Sequence, residues 1–340
     1  MLANNNSRNR ARKGWTILVG VVVFSLLLSG CGGAQKPKVY RVGVLSGLDF
    51  VADITDGLKV KMTELGYVEG KNIVYDVQKT NFDMAAYKSI LQKFVADKVD
   101  VIVAFPTEAS QEAKTATQGT TIPVVFAFAQ IEGMGLVNSV REPGGNITGV
   151  RYPGPDLAVK RFEVMHELVP QAKRMLVPYQ KGYPIVASQL ELVRPAAAAA
   201  GVTLVEAPAA NAAELETIFQ AQAKSADASP DAILLLAEPL AVTPDAFAVM
   251  GKFASEHKLP IGGALMSAGG YASVYGVNVQ NVAVGKQAAP LMDKIFKGTP
   301  TGTIPVVSAE NYFQINYKVA QELGLKVPDG LLGQANEIIR

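Results

Sequence analysis

Two histidines, one cysteine and no nucleophile motif restrict the covalent chemistry open to this chain. His166 and His257 each lie in a stretch with helical spacing, and neither has a second ligand at metal-binding intervals, so both read as packed or surface residues. There is no Gly-x-Ser-x-Gly elbow and no phosphate-binding Walker loop. Acidic residues are plentiful, but no pair has a spacing that demands acid–base work. What remains are residues that hold a molecule without transforming it, at the ends of apolar runs. In the first half these are Ser46-Gly47-Leu48, Phe105-Pro106-Thr107 and Phe128-Ala129-Gln130. In the second they are Tyr179 to Tyr183, Glu238-Pro239-Leu240 and Met266-Ser267. Ser46 and Thr107 each put a hydroxyl where a helix opens, and a helix N-terminus favours an anion through its unpaired N–H groups and its dipole. A ligand carboxylate is therefore expected at Thr107, whose simpler role is to cap its own helix. Phe105 is the aromatic expected to reach a ligand, because its run stops immediately before Pro106. Phe126 and Phe128 alternate with small residues as core side chains do. Tyr179 and Tyr183, around Gly182 and Pro184, either close over an apolar ligand or pack on their own loop.

Cys31 has a different chemistry. Arg8, Arg10, Arg12 and Lys13 precede an almost unbroken apolar run of 14 residues, Trp15 to Leu28, then Ser29-Gly30-Cys31. The run is short for a membrane span, which takes about 20 residues, and fits a signal-peptide core. Leu28-Ser29-Gly30-Cys31 resembles the bacterial lipobox, which implies acylation of the Cys31 thiol. Residues 1–30 are thus expected to be a lipoprotein signal peptide and 31–37 a tether, with the remaining chain extracytoplasmic and held to a membrane by lipid. With one cysteine, no disulfide can form within the chain, and a cysteine-based zinc or redox site is excluded.

The whole chain of 340 residues carries 32 Lys and Arg against 30 Asp and Glu. The first 30 residues hold four of the bases and no acid, leaving 28 against 30, a net charge of −2. A near-neutral body without a basic patch argues against a nucleic-acid partner. Its 310 residues suggest two domains. Apolar runs such as 39–45, 100–105, 122–128 and 232–236 alternate with helical spacing over 51–65, 84–96, 185–200 and 212–224. Asn81 is expected to cap the 84–96 helix, and Thr243-Pro244-Asp245 to open another. Strands apolar on both faces between amphipathic helices predict doubly wound α/β lobes with parallel sheets. The pattern restarts after Gly149-Val150-Arg151, so two similar halves should face each other across a cleft.

Several segments resemble the ABC-transporter substrate-binding proteins of the tryptophan/tyrosine-binding-like family. They are Glu64 to Asn72, Asp100 to Thr107, Pro123 to Phe126, Pro143 to Gly149, Gly285 to Ala289 and Ile315 to Leu325, in register from about 39 to 328. The resemblance implies a type I periplasmic-binding-protein fold, two lobes joined by three crossovers that close on a solute. Lobe one is expected to hold 38–149 plus about 278–300, and lobe two 150–277 plus about 301–340, with Gly149, Arg151 and Val277 at the hinge. The expected ligand contacts are Ser46, Gly47, Phe105, Thr107, Gln130, Tyr179, Tyr183, Glu238 and Ser267. The family usually carries an aspartate and a proline after the fourth strand, suited to a ligand ammonium. Here the place reads Ala129-Gln130-Ile131-Glu132, and Glu238 could supply the charge instead. The implied ligand is an aromatic or other apolar amino acid or a small organic acid, and the implied partner an ABC permease. No cofactor or metal is expected, and a monomer is the default. A sensory lipoprotein of the same fold, or an exported enzyme acting on envelope sugars, is the alternative.

Overall fold

In the computed structural model of this protein, residues 38–224 and 229–340 are described. Cys31 and the apolar run before it lie outside them. The short apolar runs become strands because valine, isoleucine and phenylalanine pack well on a pleated surface. In the first half β1 (Tyr40–Ser46), β2 (Ile73–Lys79), β3 (Val101–Phe105), β4 (Val124–Ala129) and β5 (Ile147–Arg151) pair in parallel, in the order β2-β1-β3-β4-β5. The helices Ile54–Glu64, Met84–Ala96 and Thr107–Ala116 connect them. The Met84–Ala96 helix is capped by Asp83, whose carboxylate accepts from the Ala86 N–H at 3.2 Å, and not by Asn81 as expected.

The second half repeats the plan. Strands β6 (Arg174–Gln180), β7 (Thr203–Ala209), β8 (Ala232–Leu235) and β9 (Ile261–Gly263) are parallel. After a two-residue hairpin, β10 (Ser267–Ala268) and β11 (Tyr271–Ala272), comes β12 (Tyr275–Val279), parallel to β9. Thr243 precedes the helix Pro244–His257, but its hydroxyl donates to the Pro239 carbonyl at 2.7 Å instead of capping.

The chain then crosses back. Helix Asn281–Phe296 packs on Ile54–Glu64, and β13 (Val307–Ser308) joins the first sheet beside β5. A third crossing leads to β14 (Asn311–Asn316) and β15 (Glu337–Ile339) at the edge of the second sheet. Three passages result, after β5, after β12 and after β13. The first sheet thus takes residues 307–308, beyond the boundary near 300 expected from sequence. The second sheet is mixed, since β14 runs antiparallel to β12. The reason is directional. β12 ends at the crossover side, and β14 enters from that side, so it must run the other way.

Candidate ligand-binding site

A cavity opens where the carboxyl ends of the two sets of strands meet. Leu48, Phe50, Phe82, Pro106, Thr107 and Phe128 line it from the first lobe. Tyr183, Ile185, Ala237, Glu238, Pro239 and Val242 line it from the second, and Tyr152 and Asn278 stand beside the first two crossovers. The lining is largely aromatic and aliphatic, with a few polar residues among them, the usual make-up of a small-molecule site.

Phe128 reaches the cavity through an irregularity. The β4–β5 register shifts between Ala127 and Ala129, and Phe128 takes φ = 52°. An extra residue in one strand re-aims the side chain it carries. Its ring stacks on Tyr152 at 4.6 Å. Phe82, in the loop after β2, has φ = 63° and lies 6.2 Å from the Tyr183 ring across the cleft. Two bulky aromatics in the left-handed region are costly conformations that cluster at functional sites.

Thr107 is the first residue of its helix, and Pro106 before it supplies no side-chain cap. Its Oγ1 accepts from the Gln130 backbone N–H at 3.0 Å. The uncapped first turn faces the cavity, where its N–H groups and dipole favour an anion. Opposite it, Glu238 is 4% exposed and caps the short helix Pro239–Val242. Its carboxylate accepts from the N–H groups of Leu240, Ala241 and Gln180 at 2.9, 2.6 and 3.0 Å. Burial still pushes its pKa up to about 7, because desolvation outweighs the three donors.

Among the described residues, two side-chain hydrogen bonds cross the cleft. The Tyr183 hydroxyl donates to Glu108, a buried carboxylate in the first turn of the Thr107 helix. Burial, then the Glu108 charge, holds the Tyr183 phenol far above its ordinary pKa, so it stays a donor. Gln130 Nε2 donates to Ser188 Oγ at 2.7 Å. The lobes are therefore closed upon each other.

Of the residues singled out from sequence, Thr107, Tyr183 and Glu238 line the cavity. Gln130 is fully buried behind it, its Oε1 without a partner among the described residues. Ser46, Gly47 and Phe105 lie beneath the surface. Gly47 donates to the Phe105 carbonyl at 2.8 Å, a Cβ there would come within 2.5 Å of the Tyr87 hydroxyl, and Phe105 is core. Phe128, not Phe105, is the aromatic that reaches the cleft from the strand ends. Tyr179 is also elsewhere, because β6 runs on to Gln180 and the Tyr179 hydroxyl donates to Glu206 at 2.8 Å. Ser267 lies on the exposed hairpin. Gly149 sits in β5, where a Cβ would come within 2.2 Å of the Phe126 carbonyl oxygen. Arg151 pairs with Glu132 and donates to Ser308 Oγ at 3.2 Å, joining the first and third crossovers. Val277 is buried in β12, and its carbonyl accepts from Arg161.

Phe50, Phe82, Tyr152 and Asn278 were not read from sequence. Phe50 and Phe82 follow β1 and β2, so the rule that loops after strands line the cleft would have found both. Tyr152 begins Tyr-Pro-Gly-Pro just after β5, a mark of the first crossover. Among the described residues, no cluster of three His, Cys, Asp or Glu could hold a metal ion, and no helix is long and apolar enough to cross a membrane.

Comparison with known proteins agrees with this architecture. A tyrosine-binding protein of Clostridioides difficile (strain R20291) is 27% identical over 320 residues, covering 88% of this chain and 89% of that protein. A conserved domain protein of Vibrio cholerae superposes with a TM-score of 0.77 at 28% identity, over 88% of this chain and all of that one. A Streptococcus pneumoniae ABC domain solved in complex with L-Trp gives 0.74 at 24% identity, over 88% and 100%. The fold is thus the two-lobed, type I-like one of periplasmic binding proteins. Residues 42–339 match the family described as ABC transporter substrate binding protein, and the chain belongs to that family.

Proposed function

We propose that this chain captures an aromatic or other apolar amino acid between its lobes, as the extracytoplasmic, lipid-anchored receptor of an ABC importer. It releases the ligand unchanged to a membrane permease. The observation that carries this reading is the cavity itself. Aromatic walls from both lobes face each other, with an uncapped helix N-terminus at Thr107 and the buried carboxylate of Glu238 among them. Thr107 suits a ligand carboxylate and Glu238 a ligand ammonium, while Phe50, Phe82, Phe128 and Ile185 suit the apolar side chain. The relatives named for tyrosine and solved with L-Trp support the same class. Glu238 takes the part that an aspartate after the fourth strand would play, since Gln130 is neutral and engaged with Ser188.

The lobes are read as 40–151 with 281–308, and 152–279 with 309–340. Gly149, Arg151 and Val277 flank the hinge, and the protein acts as a monomer. Cys31 carries the lipid.

The test is a thermal-shift panel of amino acids, aromatic organic acids and nucleosides on protein purified without denaturation. Ligand at 100 times its Kd adds about 2.7 kcal/mol to folding stability. L-tryptophan or L-tyrosine should raise Tm with concentration. A shift only with organic acids would move the ligand class, and no shift across the panel would refute a solute receptor.

A further inference from the structure

Arg161 is the largest fully buried side chain among the described residues. It lies on the helix Gly154–Leu168, and among the described residues its guanidinium meets only uncharged partners. Nε donates to the Val277 carbonyl at 2.8 Å, one Nη to the Tyr152 hydroxyl at 2.6 Å, and the other to Gln189 Oε1 at 3.5 Å. Arginine keeps its charge in proteins, and burying an ion without a counter-ion costs several kcal/mol. Such a group is expected where an anion completes the arrangement.

The network leads to the cavity wall. The Tyr152 ring lines the cavity, stacked on Phe128. Its hydroxyl accepts from Arg161 and so keeps its own proton to donate. A phenol polarised by a cation is a stronger donor, and the low dielectric strengthens the field. On the other side Gln189 Oε1 also accepts from the Ala237 N–H at 3.1 Å, and Ala237 is a second wall residue. The buried charge is thus one residue away from the ligand space at two points.

We infer that Arg161 is a positioning residue that makes the cavity face beside Tyr152 selective for the carboxylate of the ligand. This rests on the amino-acid reading above. The carboxylate lies between the Thr107 helix N-terminus and Tyr152, and the Arg161 charge behind Tyr152 balances it. A purely structural role, tying Tyr152 to Val277, would change stability but not the preference between ligands that differ only in the carboxylate.

The experiment measures Kd by calorimetry for L-tryptophan against tryptamine and L-tyrosine against tyramine, pairs in which both members keep the ammonium. Wild-type protein should prefer the amino acid. Tyr152→Phe and Arg161→Gln should each cut that preference about tenfold or more, the scale of one charge-assisted hydrogen bond. The loss should fall on the amino acid and leave the amine almost unchanged, and Arg161→Lys should restore much of it. Tyr152→Phe preserves shape and carries the test even if Arg161→Gln fails to fold. An unchanged preference in Tyr152→Phe overturns this inference and leaves the proposed function standing. Failure of wild-type protein to bind these or any other amino acid of the thermal-shift panel overturns both.

Discussion

Phe128 is held at φ = 52°, a conformation that costs a bulky residue on the order of 1 kcal/mol or more. The cost is tolerable if the ring is wanted where the bulge puts it. Phe128→Gly removes strain and ring together, so its melting temperature should stay within a few degrees of wild type while affinity for an aromatic amino acid falls about tenfold or more. A Tm and a Kd on the same sample separate the two effects. Glu238 gives a second prediction. Burial raises its pKa from 4.5 to about 7, so the folded protein keeps a proton that the unfolded chain has lost. Its contribution to stability therefore declines as pH rises through that window. Glu238→Gln should flatten the fall in Tm of the ligand-free protein between about pH 5 and about pH 8. A ligand ammonium favours the ionised carboxylate, so wild-type binding should tighten over the same range, and the variant should lose that dependence.

The contact between the helices Ile54–Glu64 and Asn281–Phe296 ties the start of the first lobe to the segment that returns after the second crossover. It depends on two glycines. A Cβ at Gly57 would fall 2.0 Å from the Val282 carbonyl oxygen, and one at Gly285 2.0 Å from that of Ile54. Backbone cannot swing aside as a side chain can. Gly57→Ala or Gly285→Ala should each cost about 1–3 kcal/mol, seen as a lower denaturation midpoint. At this scale much of the fold was legible. The apolar runs and their helical partners predicted the strands to within a few residues. The helical spacing around His166 gave the Gly154–Leu168 helix no bounds in the sequence, and Arg161 shows why. A charge on its buried face breaks the apolar stripe that marks a helix. Period-2 alternation likewise puts Phe126 and Phe128 on one face, and only the bulge separates them. Proline lacks the N–H that a strand ladder uses, yet β6 continues past Pro178 to Gln180, which carries Tyr179 out of the site.

For the molecule as a whole, the bonds from Tyr183 to Glu108 and from Gln130 to Ser188 join the two lobes across the cleft. A hydrogen bond to a charged group contributes about 1.5–3 kcal/mol and a neutral one about 1. Their loss should shift a hinged protein toward its open form. Tyr183→Phe combined with Ser188→Ala is expected to raise the radius of gyration of the ligand-free protein in solution scattering. A saturating ligand should lower it again. The same value for both proteins would mean that these bonds do not set the closure equilibrium.

The central claim concerns where the ligand lies and what becomes of it. A crystal structure of the protein grown with L-tryptophan addresses both at once. The predicted result is an intact amino acid between the lobes, its ring against Phe128, its carboxylate at the Thr107 helix and its ammonium facing Glu238. Density for the amino acid only outside the cleft, or a cleaved or modified product within it, would contradict the account.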